Sequence, residues 1–206
     1  MSNSISNYLN GYEVHDLYYE GRLPDPDKPS VAIIGARFCS EYGRYMARVY
    51  GHVLAEEGFQ IITDMSLGAG GIAAKAALDA RGEVYAVLGT GVDVCHPPEH
   101  RDLYDRIKKS GGVLSEYEDG TVPKPDQFRE RNKIIAEFAD AVILVEARKK
   151  SGTLVTVGFA KEMGKKIYAI PGRATDRLSD GTNLLIKEGA SMTLTPEDFI
   201  EQFQYQ

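Results

Sequence analysis

Several things are scarce or missing in this chain, and each absence removes a class of function. Two cysteines, Cys39 and Cys95, are far apart in 206 residues. They offer no disulfide framework, so a reducing, cytoplasmic compartment is expected. No apolar run approaches the roughly 20 residues that span a bilayer, so no membrane partner is expected. The opening MSNSISNYLNGYEVHDL has no basic flank followed by an apolar run, which is not the pattern of a secretory leader. Cys95, His96 and His100 lie close together, but Pro97 and Pro98 intervene and no fourth ligand stands out, so no metal is expected. The G-x-S-x-G elbow is missing, and His15, His52, His96 and His100 have no evident serine or cysteine partner. Neither G-x-G-x-x-G with a following acidic residue nor G-x-x-x-x-G-K-[ST] occurs, which argues against an NAD enzyme and a P-loop ATPase, and no cofactor is expected. Cations are also in deficit, with 24 Lys and Arg against 30 Asp and Glu and a net charge of −6. That opposes a general nucleic-acid coat, but it permits a local basic groove, because the field inside a cleft decides binding.

What is present is a rhythm. Apolar runs at 31–34, 59–63, 84–88, 113–115, 141–145 and 167–170 alternate with helix-spaced stretches at 42–57, 70–80, 98–109, 127–139, 154–163, 183–188 and 196–203. Gly58 is placed to stop the first helix and Thr195 to cap the last. Alternation of this kind predicts a doubly wound α/β fold of Rossmann-like type. It would have six or seven mostly parallel strands with helices on both faces. Residues 31–206 read as a single domain. Residues 1–30, with Pro24, Pro26 and Pro29, read as a lead-in segment with little regular structure.

Ligands on such sheets bind beyond the carboxyl ends of the strands. Four strand ends carry small or polar residues: Gly35-Ala36-Arg37, the 64–71 segment with Ser66 and Gly68, Gly89-Thr90-Gly91, and the turn Ser151-Gly152-Thr153. Together they predict a phosphate or ribose crevice, because glycine permits close backbone approach and a helix N-terminus attracts anions. Arg37 can fork onto phosphate oxygens. Arg131, Asn132 and Lys133 read as the opening of a helix, where cations oppose the dipole and imply a nearby anion. Lys150 lies beside the Ser-Gly-Thr turn. Glu146 follows the 141–145 strand and could accept a ribose hydroxyl, act in acid/base work or pair a loop lysine. No catalytic residue is singled out.

Longer motifs then bring a resemblance into view. VAIIGAR (31–37), YAVLGTGVDVCHPPEHRDL (85–103), LSEY (114–117), FRERNKIIAEFADAVILVEARKKSGTLVT (128–156), YAIPG (168–172) and SDGTNLLIKEGA (179–190) resemble the DNA-processing protein A (DprA/Smf) family. LYYEGRLP (17–24) is similar to that family's approach to its first strand. The resemblance implies an extended Rossmann fold, usually dimeric. It implies single-stranded DNA as ligand, a RecA-type recombinase as partner, and binding without hydrolysis. It places Arg37, Arg131, Asn132, Lys133, Ser151, Gly152 and Thr153 in the DNA pocket. The segment that answers to the family's Ser-Gly-Leu-Ala-Arg/Lys-Gly-Ile-Asp loop reads Thr63 to Gly71 here. The expected cation falls on Leu67, the expected histidine on Ala74, and Asp64 adds a negative charge. A weaker grip on DNA at that wall is implied. The alternative is a nucleotide-binding protein or a LOG-like phosphoribohydrolase. The latter's P-G-G-x-G-T-x-x-E loop is matched only in its Gly-Thr pair, with Val157 near the place of the glutamate.

Overall fold

The computed structural model describes residues 2–9 and 14–204. Nine strands form one sheet among them: β1 (Asn3–Leu9), β2 (Val14–Gly21), β3 (Ser30–Ile34), β4 (Gln60–Thr63), β5 (Val84–Val87), β6 (Gly112–Ser115), β7 (Ala141–Leu144), β8 (Lys166–Ala169) and β9 (Ser191–Met192). The helices are α1 (Glu41–Glu56), α2 (Ala69–Asp79), α3 (Arg101–Ser110), α4 (Pro125–Phe138), α5 (Thr153–Glu162), α6 (Asp180–Lys187) and α7 (Pro196–Gln204). The strand order is β1-β2-β6-β5-β4-β3-β7-β8-β9. From β6 to β9 every neighbouring pair is parallel, whereas β1–β2 and β2–β6 are antiparallel.

The short strands are buried on both sides, which explains why they read as unbroken apolar runs. Side chains alternate between two cores. Val31 and Ile33 face Tyr50 and Leu54 of α1, Tyr104 of α3 and Phe199 of α7. Ala32 and Ile34 face Ile134 and Ile135 of α4, Val157 of α5 and Leu185 of α6. Gly58 adopts φ 83° just after α1, and the Thr195 hydroxyl accepts from the Asp198 N–H at 3.2 Å, so the anticipated stop and cap both form.

The expected sheet is present from Ser30 onward, where β9 joins the six strands legible in the sequence. The lead-in departs from expectation. Residues 3–9 and 14–21 are strands, and β2 pairs with β6 from Tyr18↔Ser115 to Gly21↔Gly112. The proline-bearing stretch that suggested irregular chain lies between β2 and β3. Pairing between segments almost a hundred residues apart has no local signature.

Helices α1 and α2 pack closely because Gly51 carries no side chain. A Cβ there would stand 2.3 Å from the Ala73 carbonyl oxygen, which is backbone and cannot swing aside. Gly51→Ala is expected to cost roughly 1–3 kcal/mol through overpacking. Urea unfolding would show a lower midpoint at unchanged slope, and an unchanged midpoint would mean that the two helices can part at little cost.

Candidate functional site

The chain steps from β3 outward through β4, β5 and β6, then returns to lay β7 on the other side of β3. This reversal opens a crevice beyond the strand ends, where open α/β sheets bind ligands. A cavity of about 370 Å³ lies there. Gly35 and Arg37 wall it from the end of β3, and Asp64 and Ser66 from the loop after β4. Phe128, Arg129, Arg131 and Asn132 of α4 and the turn Ser151-Gly152-Thr153 close the other sides. A neighbouring cavity of about 270 Å³ shares Arg37, Asp64, Ser66, Phe128 and Arg131, and adds Leu67, Gly89 and His96. The His96 and Phe128 rings lie 5.3 Å apart.

Arg131 forms the floor between the two cavities. The residue is buried, only 7% accessible. Nη1 donates to the Asp64 carbonyl oxygen at 2.9 Å and to that of Val87 at 2.7 Å. One guanidinium thus ties the end of β4 to the end of β5. Its Nε is buried without a hydrogen-bond partner, as is the Ser66 hydroxyl on the same wall. Burial pulls the Arg131 pKa down, Asp64 opposes that shift, and Arg37 adds to it. Burial and then Arg37 likewise lower the pKa of His96. A buried donor without a partner, among groups that disfavour further positive charge, is a place for an anionic acceptor.

Arg131 is not in the first turn of its helix, contrary to the sequence reading. Pro125 begins α4, with the Lys124 N–H donating to Gln127 Oε1 at 2.6 Å. Proline suits the first helical position because its fixed φ is pre-organised and its missing N–H would have been unpaired. Arg131, Asn132 and Lys133 therefore lie past the helix N-terminus and do not oppose its dipole there. Phe128, Arg129 and Asn132 share one face of α4 by i, i+1, i+4 spacing and line the larger cavity.

The turn after β7 is built as anticipated. The Thr153 N–H donates to Ser151 Oγ at 3.3 Å, and Thr153 Oγ1 donates to the Gly35 carbonyl oxygen at 3.1 Å, joining this turn to the one after β3. Other residues named from sequence lie elsewhere. Gly68 is packed against the backbone of the first turn, where a Cβ would stand 1.9 Å from the Ala36 oxygen. Gly91 sits in the turn below Gly89, its N–H donating to the Thr121 oxygen. Lys133 and the exposed Lys150 do not line either cavity. Glu146 is buried and points away from the crevice, accepting from the Ser40 N–H at 3.0 Å and the Ser40 hydroxyl at 2.5 Å at the start of α1. Arg129, Phe128 and His96 line cavities without having been singled out. The helical spacing of 128, 129 and 132 was the available signal for the first two.

The profile of the DNA recombination-mediator protein A family matches residues 11–204. The chain belongs to this family. It is 38% identical over 197 residues to the DNA processing protein DprA of Streptococcus pneumoniae, covering 94% of this chain and 70% of that one. It is 36% identical to the Smf protein of Escherichia coli over 92% of this chain, but spans only 51% of that relative. A solved structure of DNA processing protein A from Helicobacter pylori superposes with a TM-score of 0.88 at 27% identity, covering 100% of this chain and 96% of that one. That structure is described as revealing a single-stranded DNA binding mode of the Helicobacter protein.

In the loop after β4, Asp64 and Gly70 are brought together. The Asp64 carboxylate accepts from the Ser66 N–H at 3.0 Å, and its Oδ1 lies 2.1 Å from where a Cβ on Gly70 would be. A carboxylate from the loop therefore reaches the start of α2. Leu67, 38% exposed, sits at the mouth of the smaller cavity without a charge.

Because Arg131 braces two loop carbonyls, Arg131→Ala is expected to lower stability by about 1–3 kcal/mol as well as altering the crevice. Urea unfolding checks this. An unchanged midpoint would show that the guanidinium is not a structural tie.

Proposed function

We propose that this chain binds single-stranded DNA in the strand-end crevice and performs no chemistry on it. The observation that carries the reading is the buried Arg131 guanidinium. Its Nε lacks a partner while Arg37, Arg129 and the start of α5 surround the same space. Charge-assisted hydrogen bonds from fixed arginines suit a phosphate backbone, and Phe128 offers a ring to a base. Membership of the family and the binding mode reported for the Helicobacter protein support the reading. On the same basis, the chain would act in the cytoplasm as a homodimer that passes its strand to a RecA-type recombinase. Asp64 and Leu67 would make the grip at the α2 wall weaker than elsewhere in the crevice. The phosphoribohydrolase alternative has no support here, because Val157 is buried in the core at the place where that loop carries its glutamate.

Fluorescence anisotropy with labelled oligo-dT tests the proposal. Three arginine–phosphate contacts would make log K fall against log salt with a slope of about −2, at roughly 0.7 per contact for single strands. Arg37→Ser and Arg129→Ser, both at exposed positions, should each reduce that slope by about 0.7 and leave the thermal midpoint unchanged. Absence of binding at low salt would overturn the proposal, and release of adenine from AMP would favour the alternative.

A further inference from the structure

The solvent face of α1 and the segment just before it carry aromatics and arginines in alternation, and beyond Arg37 they lie outside both cavities. Phe38 is 78% exposed, Tyr42 43% and Tyr45 60%, three of the large apolar side chains left open to solvent. Arg37, Arg44 and Arg48 are exposed among them. Tyr42 and Tyr45 are neighbours at i, i+3, and Arg44 and Arg48 at i, i+4. Glu41 is the acidic residue in this first turn, and its carboxylate lies 3.5 Å from Arg44 Nε. With Arg173 and Asp176 beside Tyr42, four guanidiniums stand against the surface carboxylates Glu41 and Asp176, so this face is locally positive on a chain whose net charge is −6. The Tyr42 hydroxyl donates to the Pro171 carbonyl oxygen at 2.8 Å, which fixes that ring in place.

We infer that this face is a second stretch of the nucleic-acid track, on which a strand leaving the crevice lays its bases against Phe38, Tyr42 and Tyr45 and its phosphates against Arg44 and Arg48. The inference rests on the crevice reading above and extends it. Two observations select a single strand as occupant. The face is continuous with the crevice, because Arg37 lines both cavities and Phe38 follows it directly. Rings interleaved with cations match unpaired bases joined by phosphates, whereas a duplex would present its phosphates and keep its bases stacked inside. The stacking is tolerant of sequence, so the track adds length and affinity rather than base preference.

Two oligo-dT probes separate the parts: one of about 4 nucleotides and one of about 16, the ends of the usual site-size range for single-strand-binding folds. Phe38→Ser/Tyr45→Ser should weaken the longer probe about tenfold or more and leave the shorter one unchanged. The statistical gain from extra binding registers is the same for both proteins. Arg44→Ser/Arg48→Ser should lower the salt dependence for the longer probe only. The chain has no tryptophan, so Tyr45→Trp supplies a single reporter, whose emission should be quenched by the longer probe and not by the shorter. Equal losses on both probes, or unchanged affinity together with unchanged emission, would overturn the track and leave the crevice reading standing. If the unsubstituted protein bound neither probe at low salt, both readings would fall. If Phe38→Ser/Tyr45→Ser instead converted a dimer to a monomer in sedimentation, the face would be a protein interface and the inference would be wrong.

Discussion

A single buried guanidinium organises the functional end of this protein. Arg131 reaches from the second turn of α4 to the carbonyl oxygens that end β4 and β5, and so fixes how far apart those two loops stand. Burying that charge is costly unless its donors are satisfied. Two hydrogen bonds to backbone oxygens and the nearby Asp64 carboxylate offset part of the cost. Its Nε is also buried and has no hydrogen-bond partner among the described residues. The other walls are set by the sheet itself, because the reversal of strand order beside β3 brings the turns after β3 and β7 together, and Thr153 joins them.

Charge on this protein is arranged rather than accumulated. The chain as a whole is acidic, yet Arg37, Arg129 and Arg131 converge on one space. The wall formed by the start of α2 runs the other way. There a carboxylate from Asp64 occupies the approach to the helix, and Leu67 supplies no counter-charge. A polyanion entering the crevice would meet attraction from α4 and from the turn after β7, and repulsion from the α2 side. That asymmetry would press the strand against Arg129, Asn132 and Ser151, away from Asp64.

The parallel sheet was legible because its strands are short and mostly apolar, and because the helices between them carry clear stops and caps such as Gly58 and Thr195. The crevice was legible as a set of small residues at strand ends, and Gly35, Arg37, Ser66, Gly89 and Ser151–Thr153 do meet there. What failed depended on distance along the chain. Glu146 follows a strand end as a ribose contact would, but Ser40, more than a hundred residues away, claims its carboxylate. Arg131 lines the crevice without opening its helix, because Pro125 starts α4 earlier than the apolar pattern suggests, and its two carbonyl partners lie 67 and 44 residues away. The antiparallel pairing of β2 with β6 is a non-local choice of the same kind, hidden behind a proline-bearing stretch that looked irregular.

The central claim is that the free donor on Arg131 is an anion site. The most direct measurement follows the arginine Nε–Hε resonances by ¹H–¹⁵N NMR while a short oligo-dT is added at low salt, with Arg131 assigned by substitution to lysine. The account predicts that the Arg131 signal shifts with saturation and that its hydrogen exchange slows, because the proton gains an acceptor. A signal that neither moves nor gains protection while the oligonucleotide is bound would contradict it, and would place the ligand elsewhere on the surface.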